Sequence, residues 1–201
     1  MTFMSEVNQR VNRHLIPILR PILRRATRWG RARWPSLSMQ CRVLTAGERE
    51  IAEQVFAGAL RLDSIRLCSS PWILKNYAMS PNGSVYFHPE DLAADFSQTS
   101  LMTQSWLVHE LVHVWQVQQG MNVVRRALFN RRYSYTLRPG KSFYRYGIEQ
   151  QAQIVQDWFI QHVQGQECAA LAAILPFKAL SQASTATNNP VEAAESSAHA
   201  V

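Results

Sequence analysis

The chain has 201 residues, 47% hydrophobic and 17% charged. That is enough for one domain with a real core, and it lies outside the range of disordered chains. The net charge of +7 is concentrated in two blocks: nine arginines against one acid, Glu6, in residues 1–42, and seven cations with no acid in residues 114–148. Such blocks attract lipid headgroups or an acidic polymer such as cell wall, or else form a solvated face. A specific nucleic-acid role lacks any recognisable module.

Residues 1–40 read as a basic arm. Leu15, Ile18, Leu19, Ile22 and Leu23 recur at helical spacing between arginines, and Pro17 and Pro21 interrupt them. Residues 1–36 could lie on an anionic membrane or pack on the main domain. The apolar piece Leu15–Leu19 is too short and too broken for a cleavable signal peptide, so the expectation is synthesis in the cytoplasm. No run approaches the roughly 18 apolar residues of a membrane span. Cys41, Cys68 and Cys168 are odd in number and widely spaced, with no C-x-x-C. That excludes a zinc ribbon and argues against a disulfide framework; each is expected to be a small buried residue.

The domain is expected over residues 41–180. Thr45-Ala46-Gly47-Glu48 is a capping box, and Ile51, Ala52, Val55, Phe56 and Leu60 line one face of the helix it opens. Ser64–Cys68 alternates as a strand. Pro81-Asn82-Gly83-Ser84 is a turn leading into a second strand, Val85–Phe87, which could be the edge that pairs with an extended peptide. Residues 101–119 form a helix that Gly120 stops. Residues 121–146 are rich in arginine and tyrosine, and a further helix runs from Gly147 to about Gln164. The tail 181–201, with little to bury, is expected to be disordered.

The chemistry sits in His109-Glu110-Leu111-Val112-His113. Two histidines four residues apart on a helix present both imidazoles on one face, able to share a Zn²⁺. Glu110 stands where a general base takes a proton from metal-bound water. A catalytic zinc needs a third protein ligand and an open position. No Asp, Glu, His or Cys occurs between His113 and Glu149. Glu149 opens the next helix and is the favoured third ligand, with Asp157 behind it; Ala152 is small enough for the two helices to approach closely. The alternative for Glu149 is a helix N-terminal acid held by the dipole. Gln153 is a candidate to orient a ligand histidine. Tyr133, Tyr135, Tyr144, Arg145 and Tyr146 are candidates to hold the oxyanion, and Tyr146 lies nearest Glu149. His88 reads as a surface or loop histidine.

Four segments carry a family resemblance: Leu44-Thr45-Ala46-Gly47-Glu48-Arg49; Ala78-Met79-Ser80-Pro81-Asn82-Gly83-Ser84-Val85-Tyr86-Phe87; Trp106 to Gln116; and Tyr146-Gly147-Ile148-Glu149-Gln150-Gln151-Ala152. Over residues 43–163 the chain resembles the Vgr-related zinc metallopeptidases associated with contractile injection systems, and more broadly a gluzincin. The resemblance implies an α+β, zincin-like fold, a small antiparallel sheet packed on a helical bundle. It also implies His109, His113 and Glu149 as zinc ligands, Glu110 as base, and a link to type VI secretion, by which the protein could reach the periplasm. The substrate would be a protein or a peptidoglycan stem peptide. Gln153 departs from the acid that thermolysin-like gluzincins place there. The competing reading is a zinc-stabilised, non-catalytic protein that docks on a membrane or secretion apparatus, for which a fourth ligand such as His88 or His162 would speak.

Overall fold

The computed structural model describes residues 39–123 and 133–177. The expected basic arm and the tail lie outside the described residues, apart from Met39 and Gln40. Strand β1 (Cys41–Arg42) leads into helix α1 (Ala46–Phe56). The capping box forms: the Glu48 amide donates to Thr45 Oγ1, and the Thr45 amide donates to the Glu48 carboxylate. Ala57 and Gly58, both at positive φ, end the helix. Leu60, expected on this helix, lies beyond its end but is still buried in the core.

Next come β2 (Leu67–Ser69), β3 (Ala78–Met79) and β4 (Val85–Phe87). The strand expected from Ser64 starts later, because Leu62–Ser64 form a 3-10 turn. The four strands make one sheet in the order β1-β2-β4-β3. It is mixed rather than antiparallel: β1–β2 and β3–β4 run antiparallel, and β2–β4 run parallel. Side-chain alternation reports which face a residue occupies and not the direction of its neighbour, so the parallel pair left no trace in the pattern.

The topology moves the expected edge. Val85–Phe87 is an interior strand, paired on both sides, while β3 and β1 are the edges. The hairpin from β3 to β4 turns through residues 80–84. There Gly83 takes φ +88°, and Asn82 Oδ1 accepts from the Ser84 amide.

Register also overturns the expectation about cysteine. Cys41 and Cys68 lie directly opposite in the β1–β2 pair and are joined in a disulfide; Cys168 is free. Twenty-seven residues apart in sequence, they meet only through strand pairing. Closing a loop of that size stabilises a fold by about 3.5 kcal/mol through the entropy of the unfolded chain.

Helices α2 (Leu101–Gln118), α3 (Ile148–Val163) and the short α4 (Ala169–Ala172) complete the α+β architecture. Phe87 on β4 packs against Phe96 and Trp106, with ring centroids 5.0 and 5.1 Å apart, which fastens the sheet to α2. Among the described residues no helix is long and apolar enough to cross a membrane.

A partly buried ion pair ties β1 to α1. Arg42 grips both Glu48 oxygens at 2.7 Å and donates to the Ala93 carbonyl. Glu48, fully buried, also accepts from the amides of Thr45 and Phe96.

Candidate metal centre

Helix α2 begins at Ser100, whose hydroxyl accepts from the Thr103 amide, and is followed by Gly120 at φ +79°. From Leu107 to Gln116 every residue is buried. A helix enclosed on all sides needs neighbours all round, and α2 packs against α1, β4 and α3. Its polar residues are therefore taken out of water, which is costly unless each finds a partner.

Helix α3 runs antiparallel to α2. Ser105 meets Gln156 near one end, and Gln116 meets the Ile148 carbonyl and Gln151 near the other. Ala152 has no exposed surface and lets the helices approach. This pairing brings the first turn of α3 against the middle of α2. Glu149 Oε2 lies 3.5 Å from His109 Nε2 and 3.2 Å from His113 Nε2. All three residues are buried, and their ligand-type atoms lie within 4.8 Å of one another. For Zn–N and Zn–O bonds near 2.0–2.1 Å, tetrahedral ligand atoms sit about 3.3–3.4 Å apart. The two histidine–carboxylate distances fit a zinc ion.

The charges on these groups agree with that reading. Burial alone would lower the His113 pKa, but the Glu149 carboxylate outweighs it and holds it at about 9. Burial would raise the Glu149 carboxyl, yet the facing histidines hold it well below the ordinary carboxylate range. With no metal, a proton on His113 neutralises Glu149. A cation held by these three residues would take the place of that proton.

The outer nitrogens of both histidines are bound by amides. His113 Nδ1 is 2.9 Å from Gln116 Oε1, and His109 Nδ1 is 3.0 Å from Gln156 Oε1. Each glutamine's orientation traces back to a backbone carbonyl, which can only accept. Gln116 Nε2 donates to Ile148 O and to Gln151 Oε1, and Gln151 Nε2 donates to Tyr146 O. Gln156 Nε2 donates to Ser105 Oγ, whose own proton goes to Met102 O. Both Gln Oε1 atoms must therefore accept from Nδ1–H. Both histidines then present Nε2 to Glu149, as metal ligation requires.

Glu110 is buried beside the triad, and its Oε2 accepts from Ser80 Oγ at 2.8 Å. Asp157 and Gln153 belong to a different cluster. Asp157 accepts from Tyr135 Oη at 2.8 Å and from Gln153 Nε2 at 2.7 Å, and burial raises its carboxyl pKa. The amide expected at Gln153 is supplied instead by Gln156, two turns past Glu149. The antiparallel helix sets Gln156 opposite His109. Gln116 could have been found from its own helix, since it follows His113 by one turn; Gln156 and Ser80 needed the tertiary register.

The Tyr146 hydroxyl donates to Thr136 O and accepts from the Arg138 amide, so it holds a loop. Tyr133 has its ring 6.1 Å from that of His109. Tyr144 and Arg145 are exposed. His88 is a loop residue that accepts from the Glu90 amide, and His162 stacks on Trp158. Neither joins the three ligand-type residues, the one such group among the described residues.

No family model matches the chain. It is 39% identical over 141 residues to the type VI secretion system spike protein VgrG2b of Pseudomonas aeruginosa; the match takes in 64% of this chain and only 14% of that protein. Among solved structures it is similar to the effector domain of Pseudomonas aeruginosa VgrG2b, with a TM-score of 0.58 and 38% identity over 66% of this chain and 80% of that one. With that share of the effector domain covered at that identity, the chain belongs to the family of the VgrG2b effector domain.

Proposed function

We propose that the protein is a zinc-dependent, zincin-like peptidase that acts as a type VI secretion effector. One observation carries the proposal: His109, His113 and Glu149 converge within 4.8 Å, with Glu110 buried next to His109 on the helix of the two histidines. Three protein ligands leave a fourth position for water or substrate, which is the arrangement of a catalytic zinc rather than a structural one. A bound Zn²⁺ would supply Lewis acidity, polarising the scissile carbonyl and acidifying a water.

The remaining steps belong to the chain. Glu110 takes the proton of the attacking water and returns it to the leaving amine. Gln116 and Gln156 hold the two imidazoles with Nε2 inward. His109, Glu110, His113 and Glu149 are all buried, which strengthens the charge interactions among them. Kinship with the effector domain of a secretion spike protein supports the type VI link. The cation-rich block of residues 114–148 favours an anionic target, so peptidoglycan stem peptides stand ahead of a general protein substrate.

The test is zinc content together with cleavage of purified sacculi and of casein, for wild type and Glu110→Gln. We expect one zinc per chain in both, and turnover reduced by about 10²- to 10⁴-fold in the variant. Zinc without cleavage of either substrate by wild type would leave a docking protein. Failure to take up zinc on reconstitution would refute the metal centre.

A further inference from the structure

We infer that Ser80 is a positioning residue for the general base, holding the Glu110 carboxylate in the orientation that proton transfer needs. The inference rests on the peptidase reading for its chemistry, but its geometry stands alone. Ser80 and Glu110 are thirty residues apart in sequence, both buried, and joined by a 2.8 Å hydrogen bond.

A glutamate at the middle of a buried helix has three rotatable bonds. Its neighbours in sequence, His109 and Leu111, point elsewhere and cannot fix it. Ser80 can, because the chain on both sides of it is tied down. It follows edge strand β3, whose Ala78 and Met79 pair with Phe87 and Tyr86 of β4. It precedes the tight turn in which Asn82 Nδ2 also donates to Tyr86 Oη. The sheet is packed on α2 through Phe87 and Trp106. The hydroxyl thus reaches the carboxylate from between a paired strand and a hydrogen-bonded turn.

The hydroxyl donates to Oε2, which leaves Oε1 to take the proton of the water. A general base works only within hydrogen-bond reach of the proton it takes, and misplacement by about 1 Å costs on the order of a hundredfold. Ser80 also joins the base to the edge strand beside it. A substrate that shifted β3 would shift the donor to Glu110 as well.

The test compares zinc-loaded full-length wild type, Ser80→Ala and Ser80→Thr. The readouts are zinc content, kinetics on casein and sacculi, and crystal structures of wild type and Ser80→Ala. We expect Ser80→Ala to keep one zinc and its KM, and to lose about 10- to 100-fold in kcat. Its Glu110 carboxylate should leave the wild-type position or occupy several. Ser80→Thr, which keeps the hydroxyl, should recover most of kcat. An unchanged kcat in Ser80→Ala, or a Glu110 that stays in place without the hydroxyl, overturns the inference. If wild type cleaves neither substrate, the peptidase reading fails on its own account. The pair of crystal structures then still decides whether Ser80 positions Glu110.

Discussion

Two buried glutamates of this protein sit in opposite chemical situations. Glu48 accepts from both Arg42 nitrogens and from the amides of Thr45 and Phe96. Four donors fill the acceptor capacity of a carboxylate, and nothing is left for a ligand. Glu149 faces two imidazoles through one oxygen, at 3.2 and 3.5 Å. Both glutamates are out of water, but only the second belongs to a group of ligand-type side chains that could hold a metal ion. Burial of a charge therefore does not by itself mark a functional site. What marks it is a charge whose partners can also turn toward a metal.

The sharpest way to break that comparison is to remove each carboxylate. Glu149→Ala is expected to abolish stoichiometric zinc while leaving a folded protein; metal analysis beside circular dichroism would show it. Retained zinc would mean that the third ligand lies elsewhere. Glu48→Ala should do the reverse. It leaves the Thr45 and Phe96 amides without an acceptor and the part-exposed Arg42 without its carboxylate, at a cost of about 1–3 kcal/mol, read as a lower denaturation midpoint with zinc content unchanged. A Glu48 variant that stayed folded but lost zinc would blur the distinction.

A smaller effect is expected from the amide shell. Gln116→Ala removes the acceptor of His113 Nδ1 and should weaken zinc binding by about 10- to 100-fold, measured by competition with a chelator. Gln116→Glu keeps an acceptor for His113 Nδ1–H but sets its other oxygen against Ile148 O and Gln151 Oε1, so it should fold less stably than wild type, read as a lower denaturation midpoint.

The smallest effect is a pH dependence of the metal-free protein. His113 has a raised folded pKa of about 9, so its stabilisation is complete below its ordinary value near 6.5 and is lost as pH rises through about 9. Glu149 has a lowered one, so its stabilisation is present above the ordinary carboxyl value near 4.5 and is lost as pH falls further. The metal-free protein should be most stable between about pH 4.5 and 6.5. Zinc should remove the alkaline decline, because the metal takes the place of the His113 proton. Thermal melts across pH with and without zinc would reveal both limbs.

How much of this was readable from sequence depends on the range of each interaction. The pairing of His109 with His113 follows from helical repeat alone, and the meeting with Glu149 from the lack of any other ligand type before it. The capping box at Thr45 and the turn at Asn82-Gly83 are equally local. What was not readable depends on register between elements. Gln156 stands opposite His109 only because α3 runs antiparallel at one particular offset. Ser80 reaches Glu110 only because β3 is the strand added outside β4. The parallel β2–β4 pair and the Cys41–Cys68 bond follow from strand order, which apolar alternation does not encode.

The Cys41–Cys68 bond has a mechanical consequence. Any pull on the chain ahead of residue 41 enters the domain through β1, a strand only two residues long. Without the disulfide that load would fall on a few hydrogen bonds to β2, which could peel one at a time and carry Arg42 away from Glu48. With it, tension passes at Cys41 through a covalent link into β2, whose neighbour β4 is packed on the helix that bears the histidines. The oxidised domain should withstand towing from its leading end, and the reduced one should unzip from that end first.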